Sequence, residues 1–253
     1  MDLTQYRESA LEQSRTKDLM RLINLIPKGK DVLDIGARDG HFSVLLTENF
    51  ETVTALDLEK PTISHENINC VAGDITQLSF NDNSFDLVFC AEVLEHIPFP
   101  LLQKACLELS RISKSYVLIG VPFKQDIRVG RTTCYSCGKQ NPPWGHVNSF
   151  DQEKLESLFP AYDLHEVSFV GENHEQTNFI STFLMDLAGN PYGTYDQEEA
   201  CIHCGQQLKK PPERSLLQKA YTKMAFFAQR IQKPFCKVHP NWIHLVFKRK
   251  VAQ

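Results

Sequence analysis

The stretch 31-DVLDIGARDGHF-42 decides how the rest of the chain is read. A short apolar run ending at Ile35 meets two glycines, Gly36 and Gly40, and a second apolar segment follows at helical spacing. That order predicts a strand turning sharply into a helix. A glycine-rich turn here lets a ligand approach the backbone, and the helix start offers unpaired N–H groups to a carboxylate or phosphate. The turn is no dinucleotide fingerprint, because Gly36-Ala37-Arg38-Asp39-Gly40 lacks the third glycine of G-x-G-x-x-G, and no Walker lysine is present.

The flanking sequence continues the rhythm. After DVLDIG come HFSVLLTEN (41–49) as a helix and TVTALDL (52–58), NINCVAGD (67–74) and FDLVFCAE (85–92) as strands. PLLQKACLELSRI (100–112) reads as a helix, and SYVLIGVP (115–122), LHEVSFVG (164–171) and WIHLVFKRK (242–250) as strands. Strands this apolar are buried on both faces, and their alternation with helices predicts an α/β fold with a mostly parallel, seven-stranded sheet covered on each side. Leu11, Leu19, Leu22, Ile23 and Ile26 make a helical lead-in that stops at Pro27, and Asp151 to Phe159 reads as a short helix. One domain over 1–253 is expected, with irregular insertions at 123–150 and 172–212 and a basic helix over about 213–233.

The chain has 253 residues, 42% hydrophobic and 23% charged, which suits a large globular core and excludes a disordered or fibrous protein. The N-terminal MDLTQYRESALEQSR lacks the apolar centre of a signal peptide, and no run approaches about 18 apolar residues, so a soluble, cytoplasmic protein without a membrane span is expected. The net charge of −4 hides an asymmetry: from Lys209 onward eleven Lys and Arg stand against a single acid, Glu213. That segment either docks on the acidic body or meets an anionic partner. In the long helix Leu217, Ala220, Tyr221, Met224, Phe227, Ala228 and Ile231 form one apolar stripe, read as a core-facing surface, with peripheral contact to an anionic membrane as the alternative.

Five motifs then fall in order. DIGARDG (34–40), LDLE (56–59), AGDI (72–75), SFDLVFCAEVLEHI (84–97) and VPF (121–123) resemble the class I S-adenosylmethionine-dependent methyltransferases, whose fold is Rossmann-like. The resemblance covers about residues 30 to 123. It implies that Asp34 bonds the methionyl ammonium, directly or through water, while Gly36, Ala37 and Gly40 pass beneath the methionyl and ribose portions. Asp57 takes both ribose hydroxyls and Leu58 packs on the adenine. Asp74 accepts from the adenine amino group with the Ile75 backbone beside the ring, and Cys90, Ala91 and Glu92 face the sulfonium. Taken singly, Asp34 also reads as a capping acid and Asp74 as a turn residue. Arg38 stands where the family has a glycine, pairing with the methionyl carboxylate or reaching solvent. His96 and His146 are the available general bases, although His146 also reads as a cap for the next helix.

A second constellation is independent of these motifs. TCYSCGK (133–139) and ACIHCGQ (200–206) place Cys134, Cys137, Cys201 and Cys204 in two C-x-x-C-G knuckles, the number and pairing of a closed, tetrahedral, structural zinc site. Their separation exceeds the about 15 to 20 residues of compact zinc motifs, so the two insertions must meet, which we expect over the active site. Disulfides and a redox pair are the competing readings, disfavoured in a reducing compartment. Cys70, Cys90 and Cys106 read as packing residues, and Cys236 with His239 as a weaker pair. The expected function is methyl transfer to a small-molecule, lipid-like or sugar acceptor. The alternatives are an RNA methyltransferase using the basic segment and a non-catalytic cofactor-binding or zinc scaffold protein.

Overall fold

The computed structural model describes residues 7–251. The chain begins with α1 (Ala10–Ile23), β1 (Gly29–Ile35), α2 (His41–Leu46), β2 (Phe50–Asp57), β3 (Ile68–Ala72) and β4 (Phe85–Ala91). It continues with α3 (Phe99–Ile112), β5 (Ser113–Pro122), the short β6 (Thr132–Thr133) and β7 (Gln140–Asn141), α4 (Gln152–Leu158) and β8 (Tyr162–Val170). The last elements are α5 (Phe179–Leu187), α6 (Leu216–Gln232) and β9 (Trp242–Arg249). The first six residues of the expected lead-in lie outside the described residues.

Seven strands form one sheet in the order β3-β2-β1-β4-β5-β9-β8. β3, β2, β1, β4 and β5 pair in parallel, and β9 runs antiparallel to both β5 and β8. The apolar strands do not alternate in sequence because both of their faces are covered. Leu33, Ile35, Val88, Cys90, Val117 and Ile119 share one buried cluster with Leu102, Ala105 and Leu109 of α3 and Leu155 of α4. Their sequence neighbours Val32, Leu87, Phe89 and Leu118 point the other way and pack with Leu19, Leu22 and Ile23 of α1 and Leu46 of α2.

Local chemistry sets the ends of the elements. α2 stops at Leu46, short of the expected Asn49, because the N–H groups of Thr47 and Asn49 turn back to the Val44 and Leu46 carbonyls and lead into β2. Ser9 caps α1, its hydroxyl accepting from the Glu12 N–H. Asp18 then seats that helix on the sheet, receiving His244 Nδ1 of β9 at 2.7 Å and the Ser168 hydroxyl of β8 at 2.9 Å. Asp151, not His146, caps α4, its carboxylate accepting from the Lys154 N–H.

The chain divides into two compact units. The sheet and α1 to α4 make one; Lys124–Ser149 and Glu172–His239 make the other, which holds β6, β7, α5 and α6. In this second unit α6 begins at Leu216 because Ser215 and Gln218 form a reciprocal capping box. α5 and α6 lie antiparallel. Asn178 Nδ2 donates to the Ala228 carbonyl at 3.2 Å, and Gln218 lies by Gly189 at the other end.

The α6 stripe does not face a core as expected. Leu217, Met224, Phe227 and Ile231 are 53 to 66% exposed, while the residues α6 buries are Thr222 and Ala225. The periodicity marked an apolar face correctly, but the packing against α5 uses a different and smaller-residue side of the helix.

Candidate functional site

The parallel register brings several strand ends level. Ile35 of β1 lies beside Leu56 of β2 and Cys90 of β4, while Asp57 pairs with Ala72 of β3 and Ala91 with Gly120 of β5. One step further, Gly36, Asp57 and Ala91 line the carboxyl edge of the sheet. The strand order reverses there, between β1 and β4, which is where open α/β sheets leave a ligand crevice.

The turn after β1 is tied to β2. Gly36 and Ala37 donate their N–H groups to the Leu56 carbonyl at 2.8 and 3.1 Å, and Arg38 donates to Asp57 Oδ2 at 2.9 Å. Gly36 and Gly40 hold φ of +74° and +85°, and a Cβ on either would meet Val93 or Ile63 at 2.4 Å. Arg38 adopts a left-handed φ of +47° at the position where the resembled family carries glycine.

Asp34 is 2% exposed and accepts the Ser43 hydroxyl. Burial, with the negative Asp57 nearby, pushes its carboxyl up to about 7. Asp57 uses its other oxygen to accept the Leu58 N–H at 2.7 Å. Leu58 itself is 75% exposed, an apolar side chain left on the surface beside the row. Asp74 is a turn residue, accepting the Thr76 N–H at 2.8 Å, and Ile75 puts its side chain into the core. Glu92 holds φ of +58° just after β4, and burial raises its carboxyl above the ordinary range. Its Oε1 has no hydrogen-bond partner and lies 3.4 Å from Arg15 Nη1.

Arg15 of the lead-in helix and Glu95, in the turn just after β4, escaped the sequence reading. Arg15 is buried, paired to Glu12 at 2.6 Å, and set against the Phe42 and Trp242 rings at 5.8 and 5.4 Å. Glu95 is fully buried with neither carboxylate oxygen partnered, and burial beside Glu92 lifts its carboxyl well above normal. The only available signal for Arg15 was a cation three residues after Glu12 on the same helix face as Leu19 and Leu22. His96 is pushed down to about 4 by burial and the nearby Arg38 charge, so its ring is neutral at physiological pH. His146, in the other unit, bonds Gln125 Oε1 through Nδ1 at 2.7 Å.

This arrangement fits a cationic ligand with hydroxyls. Buried or half-buried acids at three positions on the strand-end row, one of them ion-paired to Arg15, are stabilised by a further positive charge placed among them.

In the second unit the two cysteine knuckles are the same turn built twice. The Cys134 N–H reaches the Lys139 carbonyl and the Gly138 N–H returns to Cys134; Cys201, Gly205 and Gln206 repeat both bonds. Gly138 and Gly205 supply the positive φ, +73° and +69°, with open space where a side chain would sit. The four sulfurs lie within 4.8 Å of one another, with 3.7 Å between Cys134 and Cys204 and between Cys137 and Cys201. All four thiols are free in this structure. Asn141 clamps one knuckle to the other, accepting the Ile202 N–H at 2.9 Å, while the Tyr195 hydroxyl accepts the Thr133 N–H at 2.9 Å.

Strand order, a single reversed strand and helices on both faces define the Rossmann-like class I methyltransferase fold. Residues 33–118 match the family described as "Methyltransferase domain". A ubiquinone biosynthesis O-methyltransferase of Coxiella burnetii is 37% identical over 82 residues, 29% of this chain and 35% of that protein. The chain thus spans about a third of the length of such curated relatives. Among solved structures, a SAM-dependent methyltransferase from Archaeoglobus fulgidus aligns with a TM-score of 0.55 at 16% identity, covering 98% of this chain and all of that one. The N-methyltransferase NodS of Bradyrhizobium japonicum, in complex with S-adenosyl-L-homocysteine, aligns with a TM-score of 0.52 at 21% identity over 67% of this chain and 84% of that one.

Proposed function

We propose that the chain binds S-adenosylmethionine along the carboxyl edge of its sheet and transfers the methyl group to a small-molecule, lipid-like or sugar acceptor. The observation that carries this is the row of Asp34, Asp57 and Glu92 at level strand ends around the glycine turn. Acids in that setting favour a cation. Likeness to relatives named ubiquinone biosynthesis O-methyltransferase supports the acceptor class.

In this reading Asp34 and Glu92 face the positive charge and Asp57 takes ribose hydroxyls while still holding the Arg38 N–H. Gly36, Ala37 and Gly40 keep the backbone clear of side chains beneath the ligand. Leu58, Asp74 and Ile75 bound the adenine side, and Ala91 lines the row beside Glu92. When bound, the cofactor supplies an electrophilic methyl carbon. The chain's own contribution is to fix that carbon in line with an acceptor and to keep water out. A neutral His96 is able to accept a proton from a hydroxyl acceptor, although so depressed a base is a weak one.

We read the four-cysteine cluster as a structural zinc site. Tetrahedral thiolates at 2.3 Å from zinc stand about 3.8 Å apart, close to the 3.7 Å separations here. All four positions are taken by sulfur, so such a site is closed and activates no water.

Titration calorimetry with S-adenosylmethionine and S-adenosylhomocysteine tests the cofactor reading. Micromolar or tighter binding is expected, with cofactor-dependent mass gains of one methyl in a metabolite extract. No binding of either compound by folded protein would end it.

A further inference from the structure

We propose that the α5–α6 hairpin docks on the surface of an anionic phospholipid bilayer. The inference is independent of the methyl-transfer reading. Its basis is an inversion of the usual packing of a helix pair. The buried residues on these helices and at their ends are small or polar: Ser181, Ala188, Thr222 and Ala225. Leu184, Met185 and Tyr221 are half-buried, and the other large apolar side chains are left outside. On α5, Phe179, Ile180 and Phe183 are 80, 62 and 55% exposed; on α6, Met224, Phe227 and Ile231 are 53, 66 and 58% exposed. Helices that pack through small residues and turn bulky apolar ones outward are suited to an apolar surrounding rather than to water. An exposed patch of this kind marks an interaction surface.

Charge narrows the partner. From Arg214 onward the sequence contains no acid, and Lys219, Lys223, Arg230, Lys233 and Lys237 are all exposed. The one acid of α5, Asp186, is already held by Arg131 at 3.0 Å and Asn190 at 2.9 Å. A partner that covers the face must therefore offer both hydrocarbon and negative charge. A second copy of the same hairpin offers hydrocarbon but sets lysine against lysine with no acid between. A nucleic acid offers the charge but nothing for Phe227 or Ile231. Acyl chains beneath anionic headgroups offer both. Neither helix crosses such a bilayer: no described helix is long and apolar enough to span a membrane, so the hairpin lies in the interface plane.

The test is flotation of the full chain with vesicles of phosphatidylcholine, alone or mixed with phosphatidylglycerol. Binding is expected only to the mixed vesicles and should fall with added salt. Phe183→Ser combined with Phe227→Ser, and separately Lys219→Glu combined with Lys223→Glu, should each weaken it by about tenfold or more. Phe227→Trp should shift its emission to the blue on vesicle addition, a readout that keeps the proposal testable if the serine variant folds poorly. No flotation of the wild type, no spectral shift, or unchanged binding by a folded double-serine variant would each overturn it. So would sedimentation velocity showing a concentration-dependent dimer that the double-serine change abolishes, since the face would then be a contact between copies.

Discussion

Asp57 and Arg38 are joined across the glycine turn, the Arg38 N–H donating to Asp57 Oδ2 at 2.9 Å. One carboxylate therefore fixes the turn and, in the proposed function, receives the ligand. Asp57→Ala should weaken S-adenosylmethionine binding by a few kcal/mol. Asp57→Asn keeps one oxygen for the Arg38 N–H and should preserve thermal stability better than it preserves affinity. Calorimetry and melting curves on both variants separate the two roles; unchanged affinity in the alanine variant contradicts the assignment.

Asp34 supplies a test through pH. Its carboxyl is lifted by burial from 3.8 to about 7. An acid raised in the folded state contributes most below its unfolded value and loses that contribution as pH rises through the folded one. Holding Asp34 ionised without a cation costs on the order of 4 kcal/mol. Asp34→Asn should therefore gain stability relative to wild type between pH 5 and 8 in ligand-free melts, while binding the cofactor more weakly. A stability difference that does not vary with pH would count against this.

The opposite slope is expected from Asp18 and His244. Although burial opposes it, hydrogen bonds from His244 and Ser168 hold the Asp18 carboxyl below its usual range, and burial holds the His244 imidazole down. Both groups take up protons more readily when unfolded, so the stability they contribute is lost as pH falls below about 6.5 for the histidine and further below about 4 for the aspartate. Asp18→Asn should flatten the stability-against-pH curve below about pH 4 and, because it removes the carboxylate that favours the His244 imidazolium, should leave the loss below about 6.5 in place.

Gly36→Ala should cost about 2–4 kcal/mol, from a left-handed φ and a clash with Val93 at 2.4 Å. The same change in a Val93→Ala background removes the clash but not the backbone strain. Denaturant titration should show a smaller penalty there, and strict additivity of the two changes would reject the packing account.

Cys137→Ser or Cys204→Ser should lower zinc from one ion per chain to almost none, measured by elemental analysis of protein purified without chelator. Cys70→Ser, outside the cluster, should leave it at one. Absence of zinc from the wild type would refute the site.

Much of this fold was legible in the chain. The central sheet strands announced themselves because burial on both faces leaves uninterrupted apolar runs such as Leu87 to Cys90 and Val117 to Ile119. Residues of the turn were legible because only glycine enters the backbone conformations at Gly36 and Gly40 without strain. The knuckles, although 63 residues separate Cys137 from Cys201, were legible through their identical turn chemistry. What stayed hidden depends on three dimensions. Nothing in one dimension tells that Arg15 meets Glu92, that Asn141 clamps Ile202, or that α6 buries Thr222 in place of Phe227. A helical stripe states that an apolar surface exists, and the tertiary fold decides what covers it.

Strand β9 sits between β5 and β8, yet about 120 residues separate it from β5. On a ribosome, the flank of β5 therefore waits on the order of ten seconds for its neighbour to be made. Until then β5 is a bare, apolar border of a half-built sheet, open to wrong partners. Chaperone dependence of newly made protein should accordingly be strongest in this interval, and nonsense mutations ahead of Trp242 should yield aggregates rather than a smaller folded product.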